Sequence, residues 1–285
     1  MTIIFDGIAS GMLLFLISVG LSVTLGLMNF VNLAHGALAM LGGYISVVLL
    51  NRWGVPFLAT LPIVIIVSAL LGLLLERSLY RRLYRASPLD QILLSVGLVF
   101  MAIAAAHYAF GAQQQPLQLP LFLQGQINWP GLDMGIYRLF LIVLGLLIAI
   151  LLQWTVVHTR FGGQLRAAVD KQSTARGMGI NVDRIFSLTF ALGSALAGLG
   201  GALGVELLGL DPEFPMKYLI YFLIVVVVGG SGSIMGSLVA AVFLGVADVA
   251  GKYYMPQVGS FVIYAVMIGT LILRPQGLFG RNPAR

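Results

Sequence analysis

Apolar runs of about 17–21 residues recur along the whole chain, and each is long enough to cross a bilayer as a helix. With three shorter ones, the runs fall near Ile8–Met28, Gly36–Leu50, Phe57–Leu75, Gln91–Phe110, Leu139–Val157, Ile185–Gly204, Tyr218–Val228, Ile234–Ala250 and Phe261–Leu273. None alternates polar with apolar residues, so strands of a membrane barrel are excluded. The fold class is therefore all-α: a polytopic transmembrane helical bundle, one transmembrane domain over residues 1–285. Gly36–Leu50 and Tyr218–Val228 are short for a span, which leaves a count of eight or nine according to whether they cross, break or re-enter. The first run has no basic stretch before it and no clear small-residue cleavage site, so it reads as a retained span.

Charge bears on orientation. Only 9% of residues are charged, against about 25% in soluble domains, yet the net charge is +6. The Lys and Arg residues cluster at Arg77–Arg85, at Arg160–Arg184 and at Arg274–Arg285, leaving only Arg52, Arg138, Lys217 and Lys252 elsewhere. Clustering between spans follows the positive-inside pattern, so the basic balance reports a membrane and not a nucleic acid. With the clusters inside, nine spans put the amino terminus outside and the carboxyl terminus inside. The chain has no cysteine, which excludes disulfides and thiolate metal sites.

The longest polar interval is Thr159–Arg184. Gln164–Arg176 lacks Gly and Pro and suits a helix, with Gly162 and Gly163 before it and Gly177 and Gly179 as stops. Leu165, Ala168, Val169 and Gln172 share a small, weakly apolar face, and Arg166 and Asp170 stand at i,i+4 on another. About 25 residues cannot bury a core of their own, so the interval is either a solvated connection or a docking element.

Two breaks carry polar groups. Met28–Gly36 holds Asn29, Asn32 and His35, costly residues if they face lipid. A turn in which an Asn caps the next helix and an element of a translocation path both account for them. The second break, Val228–Ser237, has four glycines and three serines, among them Ser231 and Ser233. Close helix packing explains these as readily as a path does. No Lys follows the glycines, so a phosphate-cradling loop is absent and the chain is not itself an ATPase. The small residues Gly193, Gly198, Gly200, Gly201 and Gly204 favour helix–helix contact for the sixth run. Glu206, Asp211 and Glu213 gather between the sixth and seventh runs, with Asp248 near the end of the eighth.

Thr159-Arg160-Phe161-Gly162, Arg166-Ala167, Asp170 and Met178-Gly179-Ile180-Asn181-Val182-Asp183-Arg184 together resemble the cytoplasmic coupling loop of branched-chain amino-acid ABC transporter permeases, the LivH-like family. So do Asn32-Leu33-Ala34-His35-Gly36, Glu76-Arg77, the Gly229–Gly236 element and Leu273–Gly280. Arg176-Gly177 departs from the family pattern, which has two apolar residues there, and this bears on the docking face.

The resemblance implies a permease subunit of an ATP-driven importer moving branched-chain amino acids, or a related amide or aromatic-acid solute, through the bacterial inner membrane. It implies a second related permease, two cytoplasmic ATPases that bind the ATP and Mg, and a periplasmic solute-binding protein. The coupling loop would be residues 158–184, with Arg160, Gly162, Arg166, Asp170, Gly179 and Arg184 as coupling residues. Asn29, Asn32, His35, Ser231 and Ser233 would be the candidates for the substrate path. An ion-coupled secondary transporter is the competing class; it needs a deep acidic or His pair, and Asp248 has no evident partner in sequence. An intramembrane serine protease is remote, since every His precedes Ser231.

Overall fold

The computed structural model describes residues 2–28, 32–84, 86–129 and 132–279. In chain order the helices are α1 (Thr2–Met28), α2 (His35–Asn51), α3 (Phe57–Ser78), α4 (Pro88–Phe110), α5 (Ile136–His158), α6 (Arg160–Asp170), α7 (Gln172–Gly177), α8 (Val182–Leu208), α9 (Phe214–Gly229), α10 (Ile234–Tyr254) and α11 (Gly259–Leu273). A 3-10 turn, Tyr80–Leu83, follows α3. The fold is helical as expected, with one local exception. A two-stranded antiparallel hairpin, Gln126–Trp129 with Leu132–Gly135, interrupts the loop between α4 and α5.

Side-chain and loop contacts mark two ends of the bundle. At one end Arg138 pairs with Asp6 at 2.5 Å, Asn51 donates to the Pro116 carbonyl, and the Gln115 amide donates to Leu210. At the other, Tyr80 meets Asn32, Arg81 meets Asp183, and the Gly232 amide donates to Ser22. Six helices (α1, α3, α4, α5, α8 and α10) are long and apolar enough to cross a bilayer, whereas α2, α9 and α11 are shorter. At 1.5 Å per residue the 16 residues of α9 cover about 24 Å, short of the usual apolar thickness.

Burial separates centre from periphery. In α1 and α8, 78% of the apolar span is buried, against 17% in α5 and 22% in α4. The small residues of α8 explain its place. A Cβ on Gly201 would overlap the Ala39 carbonyl of α2, and one on Gly42 of α2 would overlap Gly198. A Cβ on Gly20 of α1 would likewise overlap Gly193. These backbones approach as only glycine allows.

Polar residues set several helix starts. Ser87 and Asp90 cap α4 reciprocally, the Asp90 amide donating to Ser87 Oγ and the Ser87 amide to Asp90 Oδ2, both at 3.2 Å. Ser87→Ala is expected to cost about 1 kcal/mol of stability, read as a small drop in thermal midpoint in detergent. An unchanged midpoint would show that the packing of α4, not its cap, holds its start.

Candidate functional site

The polar interval forms a helical hairpin at the end of the bundle that carries the basic clusters. Thr159 Oγ1 accepts from the Gly162 amide at 3.2 Å, so α6 starts at Arg160. Gly162 and Gly163, expected to precede the helix, lie inside it. A side chain at Gly162 would overlap the Val156 carbonyl at the end of α5, which is what demands glycine there. The single helix expected over Gln164–Arg176 is two, because Lys171 turns the chain out at φ −154° and ψ 96°. Gly179, at φ +80°, ends the hairpin, and Asn181 Oδ1 accepts from the Arg184 amide to start α8.

The apolar face of α6 also points differently from a docking surface. Leu165, Ala168 and Ala175 are buried against Val182, Ile185, Phe186, Phe190 and Tyr80. The face that lacked a core of its own borrows one from α8 and the 3-10 turn. The surface left exposed is mostly polar, Asp170, Lys171, Gln172, Ser173, Thr174, Arg176, Gly177 and Gly179, with one exposed apolar side chain, Met178. Arg160 and Arg184 are exposed as well, while the half-buried Arg166 guanidinium donates to the Val156 carbonyl.

Beneath the hairpin lies a polar junction in which the sequence signalled neither Ser187 nor Tyr84 as a partner of Glu76. Glu76, on the last turn of α3, is fully buried. Its Oε2 accepts from Ser187 Oγ at 2.6 Å and its Oε1 from the Tyr84 hydroxyl at 2.8 Å. Burial, reinforced by the Glu76 carboxyl, pushes the Tyr84 phenol far up, so it remains a donor throughout the physiological range. Asp183 bridges Arg81 at 2.6 Å and Arg176 at 3.0 Å. Tyr80, its phenol also pushed up by burial, donates to Asn32 Oδ1 at 3.0 Å.

The structure divides the candidates for the path. Asn29 lies outside the described residues. Asn32 is 1% exposed, its Oδ1 also accepting from the Ala34 amide at 3.1 Å just before α2. His35, likewise 1% exposed, places Nε2 2.7 Å from the Ile17 carbonyl of α1. Ser231 and Ser233 instead line a cavity of about 300 Å³ with Gln153, Arg166, Val169 and Met235. Neither Asn32 nor His35 lines that cavity. Ser233 Oγ also caps α10 through the Gly236 amide at 3.0 Å. The Leu278 and Phe279 amides donate to the Val228 and Gly229 carbonyls, so the segment after α11 straps the end of α9.

At the opposite end Asp248 does have a partner. Lys252 Nζ lies 2.6 Å from its Oδ2, one helical turn away. Asp211 pairs with Lys217 at 3.9 Å, and His107 with Glu213 at 3.3 Å on the surface. Exposed Glu206 borders two open grooves formed with residues of the 117–126 stretch. Among the described residues no group of three His, Cys, Asp or Glu could hold a metal ion.

A helical bundle centred on α1 and α8, with six helices long and apolar enough to cross a bilayer and a packed hairpin at its basic end, defines a multi-pass membrane protein of the permease class. The chain belongs to the family described as branched-chain amino acid transport system, permease component, which matches residues 3–271. It is 27% identical to the high-affinity branched-chain amino acid transport system permease protein BraD of Pseudomonas aeruginosa, over 97% of this chain and 94% of that one. It is 26% identical to LivH of Salmonella typhimurium over the same shares. Against LivM of Salmonella typhimurium it is 25% identical over 94% of this chain and 68% of that protein. No solved structure matches the chain. Family membership makes it a transport component, not an enzyme.

Proposed function

We propose that this chain is a permease subunit of an ATP-driven importer, carrying branched-chain amino acids or a related small polar, amide or aromatic-acid solute by alternating access. The observation that carries the reading is the hairpin α6–α7. Leu165, Ala168 and Ala175 are sealed against α8, while Gln172–Thr174 and Arg176–Gly179 stand exposed at the basic end. A packed element with an outward, mostly polar tip suits a lever worked by a separate motor. Residues 158–184 are then the coupling loop, with Arg160, Asp170, Gly179 and Arg184 at its surface and Gly162 and Arg166 holding it to α5. Two cytoplasmic ATPases binding ATP and Mg would engage it.

Likeness to proteins named LivH and LivM supports a pair of related permeases. The Arg-rich end faces the cytoplasm of the bacterial inner membrane by the positive-inside rule, which puts the amino terminus outside. The grooves beside Glu206 then face a periplasmic solute-binding protein. Ser231 and Ser233 open on the cavity beside the loop and are the accessible members of the path set. Asn29, Asn32 and His35 complete it once the bundle moves.

The test is leucine uptake into proteoliposomes carrying the assembled importer. Uptake should require ATP and survive an uncoupler; collapse with the uncoupler and survival of ATP depletion would select the ion-coupled class. Thr174→Trp, at the exposed tip, should lower ATPase association and uptake at least about tenfold, the equivalent of 1.4 kcal/mol. Its thermal midpoint should stay unchanged, because residue 174 touches no core. Undiminished association would remove the tip from the interface.

A further inference from the structure

We propose that Glu76 is a positioning residue that ties the coupling loop to the segment preceding α2, so that movement of the loop reaches Asn32 and His35 through the corner between α3 and the 3-10 turn. The inference rests on the ATP-driven reading and assigns the connection within the bundle.

The hairpin is packed on the first turns of α8, and α8 is fastened to the α3 corner at two levels. Asp183 holds Arg81, and Ser187, one turn later, holds Glu76 at 2.6 Å. The two fastenings are unequal. The Asp183 bridges have side chains 44–49% exposed, and such pairs contribute about 0–1 kcal/mol. Glu76 is sealed from water, where hydrogen bonds strengthen and breaking them leaves buried groups without partners. Glu76 is therefore the stiffer joint.

The corner has a second face. Tyr84, bonded to Glu76 at 2.8 Å, sets its ring edge-on to Phe186 of α8, the centroids 5.9 Å apart. One turn earlier Tyr80 lays its ring 4.9 Å from Phe190 and gives its hydroxyl to Asn32. Asn32 holds the Ala34 amide at the entry to α2, and His35 fastens that entry to α1 at Ile17. A displacement of the start of α8 moves the end of α3 through Glu76. The turn then carries Tyr80, and with it the two polar residues of the first break.

The chain contains no cysteine, which permits single reporters. Leu33→Cys reports on the break, and Gln172→Cys, on the exposed tip, reports on the loop itself. Thiol labelling rates are measured in the full importer with and without Mg and a non-hydrolysable ATP analogue. With Glu76 present, both rates should change on nucleotide addition. In Glu76→Ala the Gln172→Cys response should persist, while the Leu33→Cys response falls at least about fivefold, the low end of measured coupling energies. Glu76→Gln, which keeps a carbonyl acceptor, should restore part of it. A full Leu33→Cys response in Glu76→Ala would overturn the proposal. Should that variant fail to accumulate, Ser187→Ala and Tyr84→Phe each remove one bond and should each weaken the response; full responses in both would overturn it equally. If neither reporter responds with Glu76 in place, the ATP-driven reading fails and this inference with it.

Discussion

Gly201→Val should leave almost no monodisperse protein in detergent. The first added atom overlaps the Ala39 carbonyl, and that obstacle is backbone, which no rotamer change relieves. Overpacking a tight core costs about 1–3 kcal/mol when side chains can shift, and here α2 would have to leave α8. Because α8 also packs on α1 and α3, separation at Gly201 loosens the centre of the bundle. Gly97→Ala in α4 is the control. Nothing lies within 4 Å of its new Cβ, so the change should be neutral or gain up to about 1 kcal/mol of helix propensity. Equal fluorescence-detected elution profiles for the two variants would refute the account of α8 as a close-packed axis.

Asn32→Leu should lower the thermal midpoint strongly although it adds apolar surface inside an apolar bundle. The Tyr80 hydroxyl loses that acceptor and the Ala34 amide loses its cap, both at sites sealed from water. Removing the acceptor from a buried donor costs about 1–3 kcal/mol each time. Adding Tyr80→Phe withdraws one of the two donors, so the double variant should recover part of the loss instead of adding to it. A simple sum of the two single losses would mean that the Asn32–Tyr80 bond contributes nothing. Loss of function without loss of stability in Asn32→Leu would instead favour direct contact with the solute.

The helical class of the apolar runs and the place of the polar interval between α5 and α8 were legible in the chain itself. Length and apolar composition decide whether a segment can cross a bilayer, and the charge between segments decides how it lies. The close-packing face of α8 was legible for a similar reason: glycine at Gly193, Gly198 and Gly201 has few uses in an apolar helix besides close approach. Local geometry was less so. Gly162, read in sequence as preceding the helix, lies inside it where α6 touches α5, because the demand for glycine came from a neighbour and not from its own backbone.

The candidate path and the coupling junction depended on three dimensions. Sequence placed Asn32, His35, Ser231 and Ser233 in two breaks; only packing separates the first pair, bonded inside α1–α3, from the second, open to a cavity. Asp248 looked solitary until α10 placed Lys252 beside it. Glu76 and Ser187 are 111 positions apart and their hydrogen bond leaves no mark on either local pattern. What the chain determined by itself was everything set by transfer from water to lipid, since that free energy is summed residue by residue along each segment. What only the tertiary structure decided was the partner of each buried polar group, because a hydrogen bond depends on a few tenths of an ångström between atoms that the chain order leaves far apart.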